Sequence, residues 1–386
     1  VPVMGSASYE IGRVPRTLVG VDALESLPAA VDALDGREIV LVVDSGVQAT
    51  GYARRVVDAL TARSTTIHIV PPGEPTVDSV DAAATVVRAA HEPIVVGVGG
   101  GSALDTAKQA AVVSTGQAGV ELYLLCAQPL PGRRPIVAIP TTSGTGAEVT
   151  RTCIVSDGDG RKLWTWGDEM LPDLVVLDPT ATLSMPAGVT IGTGLDAFVH
   201  ALEACSGRRR TSIAAASAQR ALALVLGHLP RVAADGNDVQ SRQAMQEAAF
   251  LAGMAIDNCG TGVAHSIGHA LGSLYHVPHG VAVAVGLRAA LEWNVTGEPG
   301  AYADAAAALD CAVDLIPTTY RTLCVEVGLA RAAAGVDIRP SIGEIAATMI
   351  AVENQPMLHN NARVVGEDDR SMLARRTVDL WQRLIS

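Results

Sequence analysis

The sequence predicts an α/β unit built on a parallel sheet, followed by an all-α unit. Three observations lead there. β-Branched runs alternate with amphipathic segments through the first half of the chain. One of those runs closes in a glycine turn. Beyond Pro186 the β-branched runs give way to Ala- and Leu-rich segments with helical spacing. Strands that alternate with helices build parallel, doubly wound sheets, because each crossover helix brings the chain back in the same direction.

The elements follow in order. "REIVLVVD" (37–44) is a continuous apolar run and therefore a buried strand. "ATGYARRVVDALTAR" (49–63) has one apolar helical face, and "STTIHIV" (64–70) returns to strand character. "TVDSVDAAATVVRAAH" (76–91) is a helix opened by Thr, Asp and Ser, residues that cap helix N-termini. "PIVVGVGGGS" (93–102) is a buried strand ending in glycines, and "ALDTAKQAAVVS" (103–114) is the helix behind it. "PIVAIPTTSGTGAEVT" (135–150), "TCIVSD" (152–157) and "LVVLDP" (174–179) supply further short strands and turns. The second half predicts helices over 190–205, 211–226, 238–257, 262–275, 280–293, 299–309, 314–328, 341–352 and 367–384. A boundary near 180–186 divides the chain into units 1–182 and 183–386, and 386 residues suit two units of this size.

Composition narrows the function. Acidic residues number 40 against 28 basic ones, for a net charge of −12, so neither nucleic acid nor an anionic membrane is expected as a partner. No apolar run reaches membrane-helix length. Six cysteines without a C-x-x-C spacing read as reduced thiols in a cytoplasmic protein. The opening "VPVMGSASYE" lacks the basic and apolar regions of a signal peptide, which gives the same expectation. Two of the basic residues are lysines, Lys108 and Lys162. A lysine is a compact point charge that arginine cannot imitate in a tight site, so both are singled out.

Three stretches carry candidate chemistry. In Gly99-Gly100-Gly101-Ser102 a strand turns into a helix. Glycines there admit a ligand close to the backbone, and the free N–H groups with the helix dipole attract phosphate. Asp105 and Lys108 follow on the same helix. "PTTSGTGAEVT" (140–150) crowds small hydroxyl residues and glycines beside a strand, which suits hydrogen bonding to a sugar or phosphate. The third stretch has two parts. In "TGLDAFVHALEACSG" (193–207), Asp196 and His200 stand four apart on one face of an apolar helix. In "GVAHSIGHALGSLYHVPHG" (262–280), His265 and His269 repeat that spacing, and His279 follows Pro278. A buried Asp–His pair is costly without compensation, and a divalent metal supplies it. Asp196, His200, His265 and His279 offer one oxygen and three nitrogens, a set suited to Fe(II) or Zn(II). His276 competes with His279 for the last place. His269 is then surplus, one turn from a ligand and free to move protons.

These stretches, together with "GGGSALDTAK" and "DPTATLSMP", resemble the signatures of the iron-containing (group III) alcohol dehydrogenases, in that family's order and over nearly the whole chain. The resemblance implies a dinucleotide-binding α/β domain, a helical metal-binding domain, and an active site between them. It implies a small alcohol or aldehyde as substrate and a homodimer or larger homo-oligomer. It places metal ligands at Asp196, His200, His265 and His279, and the nicotinamide-side histidine at His269. It places cofactor contacts at Asp44, Gly101, Ser102, Asp105, Thr141, Thr142, Thr145 and Lys162; Gly100 joins them through the glycine turn. Lys162 is also expected to serve catalysis. The family pattern is broken at Val283, Arg288 and Ala362, none of them a presumed ligand. Dehydroquinate-synthase-like cyclases use a Glu-rich metal site, and maleylacetate reductases use no metal; the Asp-His-His-His set fits neither. NAD is expected over NADP, because Asp44 ends a strand where it can accept from ribose hydroxyls and would repel a 2′-phosphate.

Overall fold

The computed structural model describes residues 8–385; the first seven, within the stretch read above for a leader, lie outside them. The strands are β1 (Arg16–Val19), β2 (Glu38–Asp44), β3 (Thr65–Val70), β4 (Pro93–Gly99), β5 (Ile136–Pro140), β6 (Thr152–Ser156), β7 (Lys162–Trp166) and β8 (Leu174–Leu177). Six of them form one sheet in the order β1-β8-β5-β4-β2-β3, every pair parallel. Helices α1 (Leu27–Val31), α2 (Ser45–Thr50), α3 (Tyr52–Ala59), α4 (Val77–Ala89) and α5 (Gly101–Val113) belong to this unit. Two apolar clusters cover opposite faces of the sheet, one around Leu27, Tyr52 and Val56, the other around Val80, Ala107 and Val113. Every residue of β4, β5 and β8 is buried. Each such Val or Ile contributes about 1.5–3 kcal/mol, which explains the continuous apolar runs.

The chain leaves β2 toward β3 on one side and returns to β4 on the other. The carboxyl ends of β2 and β4 therefore flank the sheet's switch point, the place where open α/β sheets bind ligands.

After Leu177 the described chain holds helices and no strand. They are α6 (Ala187–Ser206), α7 (Ser212–Ala234), α8 (Val239–Cys259), α9 (Val263–Tyr275), α10 (His279–Gly297), α11 (Ala303–Ala308), α12 (Ile316–Val327), α13 (Leu329–Ala333), α14 (Ile342–Thr348), α15 (Gln355–Asn360) and α16 (Glu367–Ile385). No helix of the described residues is long and apolar enough to cross a membrane. α6 and α10 cross at bare backbone: a Cβ on Gly280 would overlap the carbonyl of Gly192. α9 and α10 meet the same way, at Gly286 against the carbonyl of Ala264. From α8, the Gln246 amide donates to Pro140 O (3.3 Å) and Asp178 O (3.2 Å), tying the helical unit to the carboxyl ends of β5 and β8.

Several elements differ from the sequence reading. The helix expected at 49–63 begins at Ser45 and breaks at Gly51, whose φ of 83° ends α2 and starts α3. The helix expected at 211–226 continues through Pro230, because Leu229 and Val232 bury their side chains in the helical core and outweigh proline's poor propensity. The helix expected over 299–309 opens with a 3₁₀ turn, Pro299–Tyr302, and the one expected over 341–352 ends at Thr348. Strand β7 was not expected. It pairs antiparallel with β6 around the turn 157–161, where the Asp157 carboxylate accepts from the N–H of Asp159 (3.1 Å) and Arg161 (2.9 Å).

Lys108, singled out by its rarity as a site candidate, is structural. It is fully buried, and its ammonium donates to the carbonyls of Ala147 (2.8 Å), Thr150 (2.9 Å) and Thr152 (3.2 Å), with Asp105 Oδ1 at 3.5 Å. It holds the 140–150 loop against α5. Lys108→Met leaves three carbonyls and a carboxylate short of their partner, so a loss of about 2–4 kcal/mol is expected, read as a lower urea midpoint. A midpoint equal to wild type would show that the loop keeps its shape without the lysine.

Candidate metal centre and nucleotide cleft

The glycine turn and the threonine loop face each other at the switch point. Gly100 precedes the first residue of α5 and has no side chain to cap it, so the first N–H groups of the helix stay open for a ligand. A Cβ on Gly100 would lie 3.2 Å from Thr142 Cγ2, and one on Gly101 would lie 2.9 Å from Thr145 Cγ2. The Thr141 N–H donates to Gly99 O at 2.9 Å, stitching the loop to β4. Asp44 stands on the neighbouring strand; a Cβ on Gly99 would come within 2.9 Å of Asp44 Cβ. Its Oδ1 caps α2, accepting from the N–H of Gly46 (2.7 Å) and Val47 (3.3 Å). Ser102 lies half-buried in the first turn of α5. Asp105, by contrast, turns inward: Oδ2 accepts from the Ile154 N–H at 2.9 Å and Oδ1 faces Lys108.

In the helical unit, α6, α9 and α10 bring Asp196, His265 and His279 together, with one ligand atom from each within 4.8 Å of the others. Asp196 is 1% exposed. Its Oδ1 lies 3.7 Å from His265 Nε2, 3.7 Å from His279 Nε2 and 3.8 Å from His200 Nε2. His200 is the outer member, stacked on the His265 ring with centroids 4.5 Å apart. These separations are too long for hydrogen bonds. They approach the ~3.3–3.6 Å between ligands that share one tetrahedral ion. Asp196 Oδ1 and His265 Nε2 are also buried without any hydrogen-bond partner. Two orphaned polar atoms aimed at one point, with two more imidazoles around it, fit a divalent cation. His276 ends α9 in the left-handed region (φ 56°), is exposed, and stands outside this group.

Electrostatics agree with the geometry. Burial alone would raise the Asp196 carboxyl, but the imidazoles of His200, His279 and His265 outweigh it and hold it well below the usual carboxylate range. Burial would likewise lower His265, but Glu203 and Asp196 raise it to about 9. Without a metal this ring is an imidazolium between two carboxylates. A divalent cation held by these residues would take the place of that proton.

Glu203 was not expected from the sequence, although it lies three residues beyond His200 on the same face of α6. It is buried, and its Oε2 accepts from His265 Nδ1 (2.6 Å) and the Gly262 N–H (2.8 Å), its Oε1 from the Ala264 N–H (2.8 Å). One carboxylate thus caps the N-terminus of α9, where the helix dipole favours it, and turns His265 Nε2 toward Asp196. His269 is fixed from the other side. Its Nδ1 donates to Asn354 Oδ1 (3.0 Å), whose own amide is oriented by donating to Thr348 O (2.9 Å). Burial, then the Lys162 charge, keeps His269 well below the ordinary imidazole range. It is therefore neutral, with Nε2 as acceptor. Lys162 enters from β7: it is 4% exposed, and its ammonium pairs with Glu74 Oε1 at 2.8 Å.

Glu203→Gln sets an amide against the N–H groups that the carboxylate satisfied. A 10- to 100-fold loss of affinity for Fe(II) or Zn(II), on the order expected for a lost outer partner, should appear in a metal titration. Unchanged affinity would mean that packing alone aims His265.

Comparison with known proteins follows from this geometry. Residues 15–179 match the iron-containing alcohol dehydrogenase family, and residues 190–375 match its C-terminal domain. The chain is 36% identical to a 1-propanol dehydrogenase, PduQ, of Citrobacter freundii over 267 residues, 68% of each chain. It is 33% identical to sulfoacetaldehyde reductase of Bilophila wadsworthia over 294 residues, 75% of this chain and 76% of that one. Among solved structures, a 1,3-propanediol oxidoreductase superposes with a TM-score of 0.84 at 28% identity, covering 96% of this chain and all of that one. With both family domains matched along one chain, the protein belongs to the iron-containing alcohol dehydrogenases.

Proposed function

We propose that this protein moves hydride between a nicotinamide dinucleotide and a small alcohol or aldehyde, with a divalent metal held by Asp196, His200, His265 and His279. The observation that carries this reading is Asp196 Oδ1, buried, unpartnered, and 3.7–3.8 Å from three imidazole nitrogens. A metal-free relative would have no reason to bury it so. Iron(II) is the first candidate by family and zinc(II) the second by donor set. When bound, such an ion supplies Lewis acidity toward the substrate oxygen, and the nicotinamide supplies the hydride chemistry.

The chain's own residues do the rest. In this reading Gly100, Gly101 and Ser102 present backbone N–H groups to the pyrophosphate, and Thr141, Thr142 and Thr145 line its other side. Asp105 supports that wall from beneath through Ile154 and Lys108. Asp44 keeps Oδ2 for the adenosine ribose. His269, neutral with Nε2 free, accepts the proton that an alcohol loses as hydride leaves its carbon, and returns it in the reverse direction. Lys162 places one positive charge beside that step. The units divide at 182/183, with a homodimer or larger assembly supported by the family resemblance.

Two outcomes test this reading. His269→Ala should keep stoichiometric metal and lose turnover by ~10²–10⁴-fold; elemental analysis and steady-state rates with NADH and a short aldehyde decide it. Loss of metal in that variant would mean the ligand set is wrong. The wild-type enzyme should favour NADH over NADPH in kcat/KM by on the order of a hundredfold, and Asp44→Gly should bring that ratio down. A wild type that prefers NADPH, or a ratio unmoved by the substitution, would return Asp44 to helix capping alone.

A further inference from the structure

We infer that Gly144 is a positioning residue that joins the two parts of the site: its carbonyl is placed to accept from His200 Nδ1 once His200 ligates, so that nucleotide and metal bind cooperatively. The inference rests on the reading of Asp196, His200, His265 and His279 as a metal site and of the threonine loop as a nucleotide contact, and it adds the coupling between them.

His200 comes first. Its Nε2 lies 3.8 Å from Asp196 Oδ1, but the set whose ligand atoms meet within 4.8 Å is Asp196, His265 and His279. His200 Nδ1 is buried and has no hydrogen-bond partner. A histidine that ligates through Nε2 carries its proton on Nδ1, and that N–H calls for an acceptor. His265 has Glu203 in this role. Burial lowers the His200 imidazole; against it, Asp196, Glu203 and the backbone of Gly144 favour the protonated ring. A backbone group that does so is a carbonyl facing a ring N–H. Gly144 therefore stands to His200 as Glu203 stands to His265.

The loop that carries Gly144 comes next. A Cβ on Gly144 would lie 2.6 Å from Thr193 Cβ and 2.7 Å from Thr193 O, so the loop rests on α6 with no side chain between. Thr193, Asp196 and His200 follow at spacings of three and four and share one face of α6. Gly146, with φ 65°, rests on Gly253 of α8 in the same way. The loop is thus seated on two helices of the helical unit. The residues that flank Gly144 face the glycine turn instead: Thr142 lies against Gly100 and Thr145 against Gly101. A nucleotide that fixes Thr142 and Thr145 fixes the Gly144 carbonyl between them. A metal that draws in His200 favours that same carbonyl position, because it is where Nδ1–H finds its acceptor. Each ligand then binds better to the loop position that the other selects, and the factor is the same in both directions.

The experiment measures binding rather than turnover, on the full chain with Zn(II) and ADP-ribose. ADP-ribose keeps the pyrophosphate and both riboses but has no nicotinamide to approach the metal. Zn(II) affinity, by competition with a chelating dye, should rise about fivefold or more at saturating ADP-ribose. ADP-ribose affinity, by calorimetry, should rise by the same factor at saturating Zn(II). In Gly144→Ala, shown to be folded by its melting temperature, the factor should fall to about one. His200→Ala leaves the loop's own residues intact; it should bind Zn(II) more weakly and also lose the coupling. A wild-type factor of one, a factor retained in Gly144→Ala, or a factor that survives loss of His200 would each overturn the inference, the last by showing a direct attraction between the ion and the pyrophosphate. A wild type that binds neither Zn(II) nor ADP-ribose would overturn the reading of the site itself.

Discussion

The site depends on how closely α6, α9 and α10 can approach. Asp196, His265 and His279 come from three separate helices, and their ligand atoms meet within 4.8 Å. Helices with ordinary side chains at the crossing stand 8–10 Å apart. Here the crossings are glycine against carbonyl, Gly280 on Gly192 and Gly286 on Ala264, with no side chain between the backbones. Gly280 directly follows His279, and Gly192 stands one turn before Asp196. The contact that brings the helices together is therefore the contact that sets the ligand spacing. A Cβ on Gly280 would overlap the Gly192 carbonyl directly beside His279.

Charge is arranged to the same end. Glu203 and Asp196 flank His265 on its two nitrogens, one carboxylate satisfied by three N–H donors, the other left with a bare oxygen. The first orients His265, and the second stays buried without a partner on Oδ1. His269, one turn away, meets the opposite environment: a neutral amide on Nδ1 and a positive charge nearby. Two histidines four residues apart on one helix thus receive opposite protonation tendencies, which suits one to metal ligation and the other to proton transfer.

Much of this was legible in the chain. The parallel sheet follows from continuous apolar runs, because strands covered on both faces have no polar side to alternate. The Asp196/His200 and His265/His269 pairs follow from helical spacing, and the glycine turn from its place between strand and helix. What escaped is of two kinds. Strand β7 carries Lys162 and two tryptophans, and its clue was the turn "DGDG" between two alternating runs rather than its own composition. Glu203 could have been read from its place on the α6 face. Asn354 and Glu74 could not, since each meets its partner only through the tertiary fold, 85 and 88 residues away in sequence. The rarity of lysine was a sound signal for burial but not for chemistry: Lys108 is as deeply buried as Lys162 and serves backbone carbonyls and the Asp105 carboxylate.

The β6–β7 hairpin has a consequence for how such chains can recombine. It belongs by sequence to the sheet-bearing half, yet Trp164 Nε1 donates to the carbonyl of Glu353 (3.3 Å), and Lys162 lies on α9. Glu353 immediately precedes Asn354, the residue that orients His269. A chimera joined between the halves would pair a hairpin from one parent with the helical docking surface of another. Both the ammonium and the His269 support would then rest on a contact that neither parent had fitted. Exchange of the sheet-bearing half between relatives is thus coupled to these contacts, and a swap that moves residues 152–166 with the helical half keeps Trp164 with Glu353 and Lys162 with α9.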